Sequence, residues 1–143
     1  MDDPLDEELK AVRTLARLAR LLERSSGGLT LAQYRVLAAV DDGGERATHL
    51  AHALALAKPT VTAAVDGLVE RGLLEREPVP GDRRSLRIGL TPAGRETLRE
   101  AEAAMARRLR EVVDMAGGGR DTLDALGTLA PALDALRAAA MGK

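Results

Sequence analysis

The sequence predicts a mostly α-helical protein with one small two-stranded β-sheet near its middle. Leucine and alanine fill most apolar positions, and they recur at the three- and four-residue spacings of amphipathic helices along the 143 residues. Between Gly72 and Thr91 the pattern changes to two short runs of strand-forming residues, separated by prolines and a glycine. These two observations define the predicted fold class, mostly α with a β-hairpin.

Two amphipathic helices are predicted in the first part of the chain. The first runs from Leu5 to Arg24, and a second begins after Thr30, a suitable N-cap, and stops at Asp41–Gly44. The apolar face of the first helix is formed by Leu5, Leu9, Val12, Ala16, Ala19 and Leu22. The second helix carries Tyr34, Leu37, Ala38 and Val40.

A helix-turn-helix is predicted next. Thr48 suits the N-cap of its first helix, in which Leu50 and Leu54 lie one turn apart on one face. Its second helix begins at Lys58–Pro59, because the missing N–H of proline would have no partner in the first turn. Only about three residues, 55–57, separate the two helices, so they must cross sharply. The apolar face of the second helix is formed by Val61, Val65, Leu68 and Val69.

Two short strands, Leu73–Glu77 and Ser85–Leu90, follow the helix-turn-helix. The residues between them include prolines and a glycine, which turn the chain and place Arg83 and Arg84 near the tip. Glu45–Ala47 is a candidate for a short third strand. Helix, turn, helix and then a basic hairpin, or wing, is the order of a winged helix-turn-helix.

Two further helices are predicted after the wing. The first begins at Thr91–Pro92 and is about 24 residues, or about 36 Å, long. It ends at Gly117–Gly119, and Pro131 kinks or restarts the helix that follows. The apolar faces of the two helices are formed by Leu98, Met105, Leu109, Val112 and Ala116, and by Leu123, Leu126, Leu129, Leu133 and Leu136.

The first, fifth and sixth predicted helices carry apolar faces without an obvious partner in so small a domain. They either bury one another within one chain or pack against a second copy, and we favour the second copy because two-fold symmetry lets the same surfaces cover each other. The predicted organisation is therefore a dimerisation helix in residues 1–28, a winged helix-turn-helix in residues 29–95 and dimerisation helices in residues 96–143.

Composition excludes several classes of protein. The absence of cysteine removes disulfides, thiol redox sensing and zinc-thiolate sites. No apolar run approaches the roughly 20 residues that span a bilayer, and the N-terminus is acidic, so we expect a cytoplasmic protein and no membrane partner. The net charge is only −1, but residues 71–99 carry seven arginines against four acidic residues. Such a local basic patch can bind phosphates.

The first turns of the helix that begins at Lys58 form the predicted DNA-reading surface. Threonine can bond to a base edge or a phosphate, and the exposed N–H groups and dipole of a helix start favour phosphate. The alternative is an ordinary solvated helix end, but the preceding turn and the following wing favour DNA. The predicted contacts of the helix-turn-helix are Thr48, Lys58, Pro59, Thr60, Thr62 and Ala63.

Motifs in the helix-turn-helix, in the wing and directly after it are similar to those of a known family. They comprise Leu50–Ala51, Leu68–Leu73 and Asp82–Gly94, and the most specific part is Asp-x-Arg in the wing with the later Leu-Thr and Gly. On these residues the chain resembles the MarR family of bacterial transcriptional regulators over nearly its whole length. The resemblance implies that the terminal helices form a dimer interface.

The resemblance also implies roles for the wing. Asp82 would orient Arg84, which would enter a minor groove whose negative potential attracts arginine, while Arg83 and Arg87 would contact phosphates. The alternative for the first pair is a solvated ion pair worth about 0–1 kcal/mol. Ala63 stands where relatives often carry arginine or another polar residue, so thymine methyl contacts and DNA shape would carry more of the specificity.

A small aromatic or acidic lipophilic effector is a further implication of the resemblance. Many MarR-like proteins bind such ligands between the dimer helices and the winged domain. The implied lining here is Leu15, Arg17, Tyr34 and Leu37. A plain core role for these residues is an equal alternative.

No metal, cofactor or catalytic site is predicted. His49 and His52 are the chain's two histidines, and a metal site would need two or more further ligands. Nucleophilic triads, metalloprotease motifs and phosphate-binding loops are missing from the sequence, so we expect no enzyme.

The sequence therefore predicts a homodimeric, sequence-specific regulator that binds double-stranded DNA at an inverted repeat, most simply a repressor released by a ligand. The alternative is a winged-helix protein-interaction module that does not bind DNA. The small residues of the recognition surface and the acidic overall balance suggest that alternative.

Overall fold

The structure, a computed structural model, describes residues 3–43 and 46–142, and the side chains of residues 47, 48, 83–85 and 141 lie outside the described part. The described residues form a mostly helical chain with one antiparallel hairpin, which confirms the predicted fold class. In chain order the elements are α1 Pro4–Ser25, α2 Leu31–Asp41, α3 Ala47–Leu54, α4 Lys58–Glu70, β1 Leu74–Val79, β2 Asp82–Leu90, α5 Pro92–Met115, α6 Gly119–Gly127 and α7 Leu129–Met141.

The core lies where α2, α3, α4, the hairpin and the first half of α5 meet. Aliphatic side chains fill it because the chain has neither phenylalanine nor tryptophan. Burial of each such side chain contributes about 1.5–3 kcal/mol, so this cluster holds the winged helix together. Its largest fully buried members are Leu29, Leu37, Leu50, Leu68, Ile88 and Val36.

Side chains fix where α2 and α5 begin. The Thr30 hydroxyl accepts the N–H of Gln33 at 3.1 Å, and the Gln33 side chain accepts the N–H of Thr30 at 3.0 Å, which closes a capping box. Thr91 caps α5 by accepting the N–H of Gly94 at 3.0 Å. The Glu23 carboxylate accepts the N–H of Leu31 at 2.8 Å, and this hydrogen bond lowers the pKa of Glu23.

The helix-turn-helix has the predicted turn but starts earlier than predicted. α3 begins at Ala47, so Thr48 lies inside the helix and its prediction as the N-cap is wrong. The reason is a β-bridge between Arg46 and Arg87, which holds Arg46 in an extended conformation directly before the helix. Residues 55–57 connect α3 to α4, as predicted.

The wing is a hairpin in which Leu74 lies opposite Leu90 and Pro78 lies opposite Leu86. Both strands extend further towards the tip than predicted, because two strands that are both edge strands tolerate a proline. Gly81 provides the left-handed conformation of the turn, with a φ of 83°. The predicted third strand, Glu45–Ala47, is wrong. Arg46 forms an isolated β-bridge, and Ala47 is the first residue of α3. Glu45 lies outside the described residues.

The segment from Gly119 onwards forms two helices, which is one of the two outcomes predicted for Pro131. α6 ends at Gly127 and α7 begins at Leu129, so the chain breaks at Thr128 before it reaches Pro131. A proline ring clashes with the carbonyl of the residue four positions earlier, which here is Gly127. Pro131 therefore lies in the first turn of a new helix, α7, instead of kinking a continuous one.

Large apolar side chains remain exposed on α1 and α7. Within the described residues, none of the helices combines the length and the apolar character required to cross a bilayer. The exposed fractions on α1 are 55% for Leu5, 41% for Leu9, 61% for Val12 and 49% for Leu15, and those on α7 are 50% for Leu129, 64% for Leu133 and 70% for Leu136.

Candidate nucleic-acid interface

The start of α4 is an open, polar helix end. Its N-cap, Ala57, has no side chain that can accept a hydrogen bond, so the first N–H groups of the helix are available to an anion. The Thr62 hydroxyl donates to the Lys58 carbonyl at 3.0 Å and keeps its oxygen available as an acceptor. The residues of α4 that face away from the core are exposed, namely Lys58, Pro59, Thr60, Thr62, Ala63 and Asp66.

Small side chains leave a shallow depression beside α4. It is lined by the start of α2 and by the exposed face of α4, where Ala63 presents only a methyl group. At Gly67 a Cβ would lie 3.0 Å from the Gln33 side-chain nitrogen, so the glycine leaves room for that side chain. The lining of the depression consists mainly of small side chains.

The wing tip is shorter than predicted, because β2 begins at Asp82, and the structure describes only part of its side chains. Asp82 begins β2 directly after the turn and lies opposite Val79, whereas Pro78 lies opposite Leu86, so the register of the hairpin is irregular at the tip. The side chains of Arg83 and Arg84, like that of Thr48, lie outside the described residues. Arg87 is exposed on β2, where its backbone pairs with Glu77 and bridges to Arg46.

An ion pair that the sequence analysis did not predict connects α4 to the wing. The Arg76 guanidinium on β1 binds the Asp66 carboxylate on α4, with 35% and 58% of the two side chains exposed. Arg76 and the buried Leu74 are two positions apart on β1. Their side chains therefore face the same side of the hairpin, towards α4. The two residues lie ten positions apart on different elements, so no local sequence pattern predicted this pair.

A mostly apolar cleft of about 340 Å³ lies under this ion pair, between α3, α4 and the hairpin. Arg76 and Leu86 form its wing side, and 45% of Leu86 is exposed there. Among the described residues, the Asp66–Arg76 ion pair connects α4 to the wing beside this cleft. The remaining lining residues are Ala51, Lys58, Val61, Thr62 and Val65.

The four residues of the predicted ligand pocket lie in different environments. Leu15 and Arg17 are exposed on α1, Leu37 is fully buried in the core, and Tyr34 is partly buried on α2. The Tyr34 hydroxyl donates to the Glu102 carboxylate at 3.1 Å. Burial of the ring, followed by the charge of Glu102, raises the pKa of Tyr34 to about 12.

His49 and His52 both lie exposed on α3. In the part of the chain that the structure describes, histidine, aspartate and glutamate form no group of three or more that could hold a metal ion. These histidines are thus surface residues of the helix that precedes the turn.

Comparison with known proteins gives a consistent assignment. Residues 27–85 match the model of the MarR family. PecS, an HTH-type transcriptional regulator of Dickeya dadantii (strain 3937), is 31% identical over 98 residues, which cover 62% of this chain and 59% of the length of PecS.

Solved structures extend the similarity over most of the chain. The transcriptional repressor CouR, bound to a 23-mer DNA duplex, is 31% identical and has a TM-score of 0.76, over 87% of this chain and 89% of CouR. The apo form of MarR from E. coli is 23% identical with a TM-score of 0.72, over 93% of this chain and 98% of MarR, and it supports the fold alone.

Proposed function

The chain belongs to the MarR family of transcriptional regulators, whose members are not enzymes, and we propose that it is a ligand-responsive repressor that binds double-stranded DNA as a homodimer. The observation that carries this proposal is the open, exposed start of α4 beside a hairpin whose tip is rich in arginine. A repressor that is 31% identical, CouR, is described as bound to a DNA duplex, which supports the same role here.

In the proposed complex, α4 enters the major groove. Lys58 binds a phosphate with the help of the free N–H groups of the helix start, and Thr60 and Thr62 reach base edges or phosphates. Pro59 and Ala63 offer apolar contacts to thymine methyl groups. Thr48 adds a contact from α3.

The wing completes the proposed interface. Arg84, oriented by Asp82, enters the adjacent minor groove, and Arg83 and Arg87 bind phosphates. This assignment rests on the strand positions of the four residues and on the family resemblance.

A homodimer would cover the exposed apolar faces of α1 and α7. We propose that residues 1–28 and 96–143 form the dimer interface and that residues 29–95 bind DNA. Two-fold symmetry then matches an inverted repeat, with the two α4 helices about 34 Å apart in successive major grooves.

The effector is proposed to be a small aromatic or acidic lipophilic compound. It would bind near Leu15, Arg17, Tyr34 and Leu37, at a site that a second chain completes, and change the spacing of the two DNA-binding lobes. Such couplings are typically worth about 1–3 kcal/mol. The protein would act in the cytoplasm, where its DNA target lies.

A salt titration with Arg84→Ala tests the DNA-binding proposal. Wild-type protein should bind random duplex at low salt, and Arg84→Ala should lower the affinity about tenfold while the dimer persists. Lys58→Ala should weaken binding to all sequences and reduce the salt slope by about 1. Arg110→Ala, on the exposed surface of α5 and outside residues 29–95, is the matched control, and at concentrations at which it is a dimer its affinity should stay close to that of the wild type.

A protein-interaction module that does not bind DNA is the second candidate. The carboxylate of Asp66 on the recognition surface favours it, since an acidic group repels phosphate. This candidate predicts almost no binding to random duplex even at low salt, so the same titration decides between the two functions.

A further inference from the structure

Two arginines from outside the helix-turn-helix hold the C-terminal end of α3. The Arg35 guanidinium on α2 donates to the Leu54 carbonyl at 2.7 Å. The Arg137 guanidinium on α7 donates to the Ala53 carbonyl, across 84 residues of sequence. Both contacts are made to the last turn of α3, directly before residues 55–57 connect it to α4.

These contacts complete the hydrogen bonding of the helix end. The last four carbonyls of a helix lack partners within it. Here the carbonyls of the third- and fourth-last residues accept the N–H groups of Ala55 and Leu56. The last two, those of Ala53 and Leu54, accept from the two guanidinium groups. Positive charge at this end also opposes the negative end of the helix dipole.

The turn that these arginines hold is conformationally demanding. Ala55 has a φ of 53°, which lies in the left-handed region that residues other than glycine seldom adopt. The surrounding hydrogen bonds must therefore maintain this conformation. Because α4 begins at Lys58, only three residues after α3 ends, the geometry of the turn sets the direction of the recognition helix.

Arg137 differs from Arg35 in the element that carries it. Arg35 belongs to α2, which packs into the core of the winged helix, whereas Arg137 belongs to α7, whose residues are largely exposed. Both arginines line a groove of about 470 Å³ between the end of α3 and α7. Asp134, 3.9 Å from Arg137, lies one turn earlier on α7.

We propose that Arg137 is a positioning residue for DNA binding, which ties the terminal helix α7 to the turn of the helix-turn-helix and so fixes the orientation of α4. The inference rests on the proposed DNA-binding function. It gives the terminal helices a direct route to the recognition helix: displacement of α7 withdraws one of two guanidinium groups from the turn. Arg137 itself does not contact DNA.

The test variant for this proposal is Arg137→Ala. Arg137→Lys is the conservative variant, and Arg120→Ala is the control. Arg137→Ala should weaken binding to the preferred duplex about threefold to tenfold, because a charge-assisted hydrogen bond is lost. The salt slope should not change, since no phosphate contact is removed. Arg137→Lys should restore much of the affinity, because lysine can donate to the same carbonyl. Arg120→Ala, an exposed arginine of α6, removes the same charge without removing a contact to α3, so a loss of affinity shared by both variants would reflect charge alone and would overturn the proposal.

Hydrogen exchange provides a readout that is independent of DNA. In Arg137→Ala the N–H groups of Ala55 and Leu56 should exchange faster, while the melting temperature and dimer content stay close to those of the wild type. Unchanged exchange, unchanged affinity, or a salt slope reduced by about 0.9 would each overturn the proposal, the last because Arg137 would then bind a phosphate itself. Failure of the wild-type protein to bind duplex would instead refute the proposed function. The exchange experiment would still test whether the contact between Arg137 and the Ala53 carbonyl stabilises the turn.

Discussion

Tyr34 is the chain's single aromatic residue, and its environment is set by two interactions. Its ring is partly buried against the core, and its hydroxyl donates to the Glu102 carboxylate at 3.1 Å. Burial is the larger cause, and the Glu102 charge the second, of a pKa raised from the ordinary value of about 10 to about 12. The folded protein therefore holds this proton more tightly than the unfolded chain does.

The Tyr34 proton links stability to pH at the alkaline end. The contribution of this protonated hydroxyl to the free energy of unfolding is complete below about pH 10, the pKa of tyrosine in the unfolded chain. It is lost as the pH rises through the pKa in the folded protein, about 12. Because no other tyrosine or tryptophan is present, phenolate absorbance reports Tyr34 alone. Glu102→Gln should shift the titration midpoint down only part of the way, since ring burial persists. A midpoint near 10 in the folded wild type would contradict this prediction.

Asp66→Asn is predicted to weaken DNA binding, although it removes a negative charge. Asp66→Asn removes a negative charge from the surface proposed to face DNA, so long-range electrostatics alone predicts tighter binding. We expect weaker specific binding, by up to about fivefold, because the exposed ion pair that connects α4 to the wing is lost. Fluorescence anisotropy with the preferred duplex at constant salt measures this change.

Glu75→Gln is the matched control for Asp66→Asn. It removes the same charge from the wing, but Glu75 neighbours Arg76 on β1 and therefore points to the opposite side of the hairpin. Its affinity should stay the same or increase slightly. If both variants bind more tightly, the ion pair acts only through its charge and does not hold the wing.

At the scale of elements, Gly94 determines how α5 leaves the wing. A Cβ at this position would lie 2.0 Å from the backbone oxygen of Leu73, which is far closer than any real contact. The Thr91 hydroxyl donates to the Gly72 carbonyl at 2.6 Å, and this bond holds the two segments together. The glycine is therefore required by backbone packing, despite its low helix propensity.

Gly94→Ala and Gly127→Ala should change stability in opposite directions. Gly94→Ala should lower the free energy of unfolding by about 1–3 kcal/mol, because the backbone at Leu73 must move. Gly127→Ala, where a Cβ meets nothing within 4 Å, should raise it by up to about 1 kcal/mol through helix propensity. Urea unfolding at one protein concentration compares them, and a stabilising Gly94→Ala would show that α5 can shift freely.

Most elements could be predicted because their signals are local. The 3.6-residue period and the capping residue Thr30 predict the helices, and the change of period after Gly72 predicts the wing. The restart of the helix near Pro131, one of the two predicted outcomes, follows from the clash of the proline with the Gly127 carbonyl, four residues earlier. The early start of α3, which was predicted wrongly, follows from the bridge at Arg46.

The contacts that distinguish the candidate site could not be predicted from local signals. Tyr34 and Glu102 are 68 residues apart, and Ala53 and Arg137 are 84 residues apart. Only the packing of complete elements brings such pairs together, and each side chain alone resembles an ordinary surface residue. The Asp66–Arg76 pair is closer in sequence, but it depends on how the wing folds back over α4.

At the scale of the whole molecule, the exposed apolar residues are concentrated on α1 and α7. Val12 is 61% exposed and Leu133 is 64% exposed, whereas the winged helix between them has a well-filled aliphatic core. Single exposed apolar residues are common, but contiguous ones mark an interaction surface. A second copy of the chain is the occupant that the proposed function requires.

Val12→Glu therefore tests the dimer directly. A carboxylate buried without a partner costs several kcal/mol, so dimerisation should weaken at least tenfold, by roughly 1.4 kcal/mol or more. The fold of each chain should persist, since Val12 is exposed within one chain. Binding to a full inverted repeat should fall with the dimer, while binding to a half-site should change little, because a half-site needs one α4.

Thr14→Glu introduces the same carboxylate on the opposite side of α1, where Thr14 lies exposed and its hydroxyl donates to the Lys10 carbonyl at 2.8 Å. Residues two positions apart on a helix point about 200° away from each other, so this variant should remain dimeric. Analytical ultracentrifugation distinguishes the two variants. If Val12→Glu stays dimeric at the concentrations at which the wild type does, the apolar face of α1 is not the interface, and the half-site spacing proposed from it must be abandoned.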